Sequence, residues 1–358
     1  MAFISNYSFL DRLIHKLAFS SRDAQIAISD MESTFFSKEI ANLENSEPLF
    51  ITGLPRAGTT ILLDLFDGLD ESASHAYRDM PFIMTPLFWN KFSNAFKKDD
   101  LPKERAHGDG ILVSLDSPEA FEEVLWHLFW NKQYRQNFIE PWDKKPNKEF
   151  NDFFCDHMKK IIKLRVGSKP NARYVSKNNL NISRLPYLSN LFPEGKIIVP
   201  FREPVQHAGS LLKQHLNFSS IHSEDSFARD YMRALGHYDF GENLKPVNFS
   251  NWMQHSRYSN PVMIEFWLEY WIASYEFLLK QEIENAGFFC YEFFCERPEY
   301  SLDKLSKFAG VVDKDKFVGQ ADRIKTPIKH VPEKKLPADL ILKANELYEK
   351  LKACSINI

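Results

Sequence analysis

Hydrophobic residues follow two rhythms along this chain. Short, nearly continuous apolar runs bounded by glycine, proline or charge predict buried strands at 49–53, 173–176, 196–201 and 288–294. A further short strand is predicted near 74–77. Between them, apolar residues recur every three or four positions. That spacing predicts helices at 59–69, 149–164, 182–191, 204–215, 262–280 and 338–352. Arg297-Pro298 leads into another. Asp116-Ser117-Pro118-Glu119 carries a helix-start signal, with Ser117 as cap, Pro118 in the first helical position and acids in the first turn. Residues 1–47 read as an N-terminal helical extension, spaced by Phe9, Leu10, Leu13, Leu17 and Phe19. Residues 217–260 are rich in Ser, Asn, His and aromatics and weakly periodic, which predicts a lid or acceptor-side insertion. Strands alternating with helices predict one α/β domain over 1–358, with a mostly parallel sheet covered on both faces.

Composition narrows the class. The 358 residues carry a formal net charge of −3, so no global basic field favours nucleic acid or an anionic membrane. No apolar run reaches the ~20 residues of a membrane span, and the start lacks the pattern of a signal peptide. The four cysteines show no zinc spacing and read as reduced thiols, which predicts a cytoplasmic protein. No HExxH or EF-hand spacing occurs, so no metal is expected. Aromatic residues make up 14% of the chain, 31 of them Phe, more than an ordinary core requires. They are candidates to line an apolar cleft.

The candidate chemistry starts at Leu49-Phe50-Ile51-Thr52-Gly53-Leu54-Pro55-Arg56-Ala57-Gly58-Thr59-Thr60. A strand, a tight glycine-containing loop and a helix start place unpaired N–H groups and the positive end of a helix dipole at one point, an anion site. The loop is similar to a Walker A loop, but Thr59 stands where the lysine of nucleotide triphosphatases belongs, and Arg56 supplies a cation from within the loop. A second motif, Phe201-Arg202-Glu203-Pro204-Val205-Gln206-His207-Ala208-Gly209-Ser210, follows a predicted strand. Arg202 then sits at the strand's carboxyl end, where ligands bind in open α/β sheets, and Ser210 lies about two helical turns on. Guanidinium and hydroxyl are thereby able to address one phosphate.

With both motifs in hand, the chain resembles sulfotransferases that use 3′-phosphoadenosine 5′-phosphosulfate (PAPS), in particular the branch with protein-tyrosine sulfotransferases and bacterial relatives. The resemblance runs over about 49–330 and implies a P-loop-like three-layer fold. It implies that Pro55, Arg56, Ala57, Gly58, Thr59 and Thr60 hold the 5′-phosphosulfate, and that Arg202 and Ser210 hold the 3′-phosphate. It further implies that Lys177 contacts the bridging oxygen, that Tyr291 lies near the cofactor, and that Lys325 belongs to a basic loop returning over it. The product is 3′-phosphoadenosine 5′-phosphate (PAP). Asn178 is a candidate to position the acceptor or the sulfuryl oxygens. For the base that takes the acceptor's proton, Asp79 falls close to a catalytic glutamate of that branch, His107, near Gly108 and Gly110, is its rival, and His75 is a third candidate.

The expected activity is sulfuryl transfer to a hydroxyl or amine by in-line displacement. The alternatives are a phosphotransferase or nucleotide hydrolase with an altered loop, which would need magnesium, and a non-catalytic nucleotide-binding module. The acceptor stays open among small metabolite, lipid, glycan and peptide. Phe218, Tyr231, Tyr238, Phe249 and Trp252 point to an apolar or aromatic cleft wall, whereas Lys213, Arg229, Arg233, His215 and His222 would instead greet an acidic acceptor. Oligomerisation is also left open.

Overall fold

The protein is described here by a computed structural model covering residues 18–19, 21–43, 47–93, 103–104, 112–325 and 336–358. Five parallel strands form the central sheet: β1 (Leu49–Ile51), β2 (Ser72–Ala73), β3 (Arg173–Lys177), β4 (Lys196–Phe201) and β5 (Ala286–Cys290). Their order is β2-β3-β1-β4-β5. Phe50 pairs with Ser176 on one side and Ile197 on the other.

Alternation along the strands explains the two faces. Phe50, Tyr174, Ile197 and Val199 join one core cluster, while Leu49, Ile51, Val175 and Ile198 join another on the opposite face. Buried on both sides, these strands read in sequence as continuous apolar runs. Helices cover both faces, giving the P-loop-like three-layer α/β architecture.

Because all five strands run the same way, every carboxyl end lies at one edge. From β1 the chain moves outward to β2 and β3 on one side, then to β4 and β5 on the other. The crevice beyond β1 is therefore the topological switch point, flanked by the ends of β3 and β4.

Several elements differ from their sequence expectation. The second strand is Ser72–Ala73, and Tyr77–Asp79 form a 3-10 turn. No helix starts at Ser117. Pro118 bridges antiparallel to Ala76, and the Glu119 N–H donates to the His75 carbonyl at 2.9 Å. Tertiary pairing thus overrides the capping signal, and the helix here, α1, spans Glu123–Phe129. The helix after β4, α2 (Pro204–Glu224), runs well past its predicted end at 215. A second helix, α3 (Ser226–Ala234), follows, so part of the expected lid is helical and packed. Strand β5 stops at Cys290, and Tyr291–Glu296 turn into helix α4.

Of the N-terminal extension, Arg22–Phe35 is helical. Its buried Glu32 pairs with Lys160 at 3.2 Å and accepts the Phe88 N–H at 2.6 Å, which fixes it to the domain. All four cysteines are free thiols. No helix among the described residues is long and apolar enough to cross a membrane.

Candidate active site

The loop after β1 is the first wall of the site. Arg56 adopts a left-handed backbone (φ 71°), as does Gly58 (φ 89°), so the loop curls tightly before its helix, Thr59–Asp67, begins. A Cβ on Gly58 would lie 2.6 Å from the Tyr291 ring, so only glycine allows this approach. Burial pushes the Tyr291 phenol up to about 12, and the ring acts here as a neutral packing surface.

The two sequence motifs interlock. Arg202 donates from Nη1 to the Arg56 carbonyl at 3.0 Å and stacks over Tyr291 at 4.9 Å. The His207 Nε2–H donates to the Pro55 carbonyl at 2.8 Å. Burial, with Arg202 beside it, pushes the His207 imidazole down to about 3, so it is neutral. The Arg202 Nε is buried without a hydrogen-bond partner among the described residues, with Glu292 Oε1 3.9 Å away. Glu203 caps α2, accepting from the Val205 and Gln206 N–H groups. Ser210 is half-buried, about one turn beyond Gln206 and His207.

Lys177 ends β3 and meets Arg56 across a pocket. The pocket's lining joins Pro55, Arg56, Thr59, Thr60, Lys177 and Asn179 to Glu119, Phe218, His222, Met232, His237, Asp239 and Phe240. Asn179 bridges the two sides. Its Oδ1 accepts from the Thr59 hydroxyl at 3.3 Å, and its Nδ2 donates to Asp239 Oδ2 at 3.2 Å. Asn178, beside it, turns inward and donates to the buried Glu123, which also pairs with Arg184.

The far wall is residues 237–240. Two left-handed glycines, Gly236 and Gly241, bracket it, each so close to Glu123 or His222 that a Cβ would collide. Burial pushes the His237 imidazole below its ordinary value, against the opposing charges of Glu119 and Asp239. Burial raises the Asp239 carboxyl, while Asn179, His237 and Lys177 draw it down. Glu119 is held by the Tyr77 hydroxyl and by the Ala120 N–H at 2.7 Å.

The structure brings Arg56, Thr59, Thr60 and Lys177 to one pocket and sets Gly58, Arg202 and Tyr291 behind the loop. It does not bring Asp79 there. That carboxylate is buried in an ion pair with Arg165, accepts the Ala76 N–H at 2.9 Å and faces His75 at 3.3 Å. These partners hold it below the usual carboxylate range in spite of the opposing burial. His75 is buried against His157 at 3.0 Å and is likewise no part of the lining. His107 lies outside the described residues. Lys325 is exposed, at the last described position before 326–335.

Sequence reasoning missed Glu119, His237 and Asp239. The unusual composition of 217–260 flagged the region of the last two but not the residues. Of the expected aromatic wall, Phe218 lines the pocket and Tyr231 and Tyr238 do not; Phe240, which was not expected, joins Phe218 there. Trp252 and Phe249 instead line a separate cleft with Arg257 and Lys343.

The sequence model of the sulfotransferase family matches residues 48–245. Solved structures to which the chain is similar include sulfotransferase STF9 from Mycobacterium avium, 13% identical over 90% of this chain and 81% of that one, with a TM-score of 0.47. Sulfotransferase STF1 from Mycobacterium tuberculosis H37Rv is 13% identical over 91% and 81%, at 0.45. A sulfotransferase from Alicyclobacillus acidocaldarius is 13% identical over 86% and 94%, at 0.39. No curated protein matches the chain. The family match spans more than half of the sequence and contains both interlocked motifs, and on that ground the chain belongs to the sulfotransferase family.

Proposed function

We propose that this protein moves a sulfuryl group from PAPS to a hydroxyl acceptor by in-line displacement. The observation that carries this reading is the pocket itself. Arg56 and Lys177 converge at a helix N-terminus on one side, and a carboxylate–imidazole group faces them on the other. The residues present fit the nucleotide. Glycine at 58 lets the loop close against Tyr291, and the Nε of Arg202, without a partner among the described residues, is a donor beside the loop.

When bound, the donor supplies an activated sulfur attached through oxygen to a 5′-phosphate. Arg56, the loop N–H groups and Lys177 neutralise the charge that grows on that phosphate as the sulfur–oxygen bond breaks, with the electron pair leaving on the phosphate. Arg202 and Ser210 hold the 3′-phosphate. Tyr291 packs beneath the loop, and Lys325 lies on the returning basic segment. The attacking acceptor oxygen forms the new bond to sulfur and gives up its proton. His237, neutral in its buried setting, takes that proton. Asp239 and Glu119 stabilise the imidazolium that results.

The four free thiols favour a reducing compartment, in keeping with a cytoplasmic enzyme. Comparing PAP with ATP and magnesium by calorimetry tests the donor: tight PAP binding is expected, and preference for ATP would overturn the reading.

A further inference from the structure

The acceptor side of the pocket carries a definite chemical preference. Its described lining is Glu119, Phe218, His222, Met232, His237, Asp239 and Phe240. Among the described residues, the only lysine and arginine lining the pocket are Lys177 and Arg56, both on the loop side. Of the basic residues that a sequence reading offers to an acidic acceptor, Arg229, Arg233 and His215 are engaged outside the lining. Arg229 pairs with Glu242 at 3.0 Å and Asp230 at 3.3 Å, and Arg233 pairs with Asp230 at 2.9 Å. His215 Nδ1 accepts the Gly241 N–H at 3.1 Å, which ties that ring to the wall's backbone.

His222 supplies the second observation. Its Nδ1 accepts the Glu242 N–H at 3.1 Å. In a neutral imidazole this places the proton on Nε2 and makes that nitrogen a donor. His222 is 3% exposed and lines the pocket, and its Nε2 has no hydrogen-bond partner among the described residues. An unpaired buried donor in a ligand pocket discriminates strongly in favour of a ligand that satisfies it. Phe218 and Phe240 lie parallel, with rings 6.0 Å apart and 5° between their planes, and with Met232 they form the apolar part of the same wall.

We propose that the pocket takes an uncharged hydroxyl compound with an apolar face for Phe218, Met232 and Phe240, and with a second, neutral oxygen acceptor for His222 Nε2. Anionic alcohols are disfavoured because the wall opposes them with two carboxyl groups, while both lining cations serve the donor. This inference rests on the sulfuryl-transfer reading and adds the acceptor class to it.

The test is a panel of small hydroxyl compounds, neutral, cationic and anionic, each paired with an analogue lacking the second oxygen. The panel is screened with PAPS labelled in the sulfuryl group. PAP binding is measured by calorimetry on the same preparation. The best acceptors are expected to be neutral and to exceed their deoxy analogues by about tenfold or more in kcat/KM, a margin that collapses in His222→Leu. Because His222→Leu also loses a backbone contact, Met232→Lys provides a second arm. A cation in the wall is expected to shift relative kcat/KM toward anionic alcohols by about tenfold.

Best acceptors that are anionic, or a margin unchanged in His222→Leu, would overturn the proposal. So would failure of every compound in the panel while PAP binds normally. Failure of PAP itself to bind would remove the donor reading, and the acceptor class with it.

Discussion

On the loop side of the pocket, Pro55, Arg56, Thr59 and Thr60 come from six consecutive positions, and Lys177 from the end of the neighbouring strand. On the opposite side, Glu119 comes from an irregular stretch before α1, Phe218 and His222 from the last turns of α2, Met232 from α3, and His237, Asp239 and Phe240 from the turn beyond it. The first wall is a local product of strand, loop and helix start. The second exists only once the stretch 218–240 has folded back on itself and met Glu119. A local wall keeps its chemistry through one short motif. An assembled wall is free to change one residue at a time, which suits the acceptor-selecting role proposed for it. The same contrast separates the electrostatics. Cations and helix-start N–H groups line the loop side, whereas carboxyl groups and imidazoles line the opposite side.

The sharpest way to break this comparison is to remove the proton acceptor from the assembled wall. His237→Gln is expected to lower kcat by about 10²–10⁴ while leaving PAP affinity unchanged by calorimetry. Because burial holds His237 below its ordinary 6.5, the acid limb of kcat/KM should lie below pH 6.5 in the native protein, with rate rising as the imidazole loses its proton. A limb unmoved in His237→Gln would assign the base elsewhere.

On the local wall, Lys177→Ala or Arg56→Ala is expected to reduce kcat by about 10²–10³, read in single-turnover assays on protein with native melting behaviour. Unaltered turnover in Lys177→Ala would deny it a catalytic part. Gly58→Ala adds a left-handed strain of roughly 1–2 kcal/mol to the clash with Tyr291. PAP binding should weaken about tenfold or more, and near-native affinity would show that the loop tolerates a Cβ.

Asp79 separates stability from chemistry. Asp79→Asn weakens a buried pair with Arg165 and should cost on the order of 3 kcal/mol of unfolding free energy, with kcat per folded molecule unchanged. A large loss of kcat at native stability would restore Asp79 to the reaction.

The smallest effect belongs to His207. Its folded value of about 3 lies below its ordinary 6.5, so the neutral ring's contribution is complete above pH 6.5 and is lost as pH falls toward 3. Denaturant titrations between pH 7 and 5 should show a shallower pH slope for His207→Gln than for the native chain.

The sheet, the loop after β1 and the Arg202 segment were legible because each is written in contiguous residues. Apolar runs such as Ile197–Ile198–Val199 have one stable fate in a sheet buried on both faces, and a glycine ahead of a helix start makes an anion site wherever it occurs. Asp79 misled because its position after a strand looks catalytic, and only packing shows Arg165 and His75 enclosing it. Ser117 misled because a cap signal is local and weak beside the bridge that Pro118 makes to Ala76.

Contiguous residues fix the fold class, the family motifs and the pocket's arginine, since short-range pattern and backbone geometry suffice for these. Packing over long range settles which carboxyl groups and imidazoles line the far side of the pocket. Their proximity depends on burial and on contacts across more than a hundred positions of chain, such as Gly236 against Glu123, and no local pattern encodes a contact of that kind.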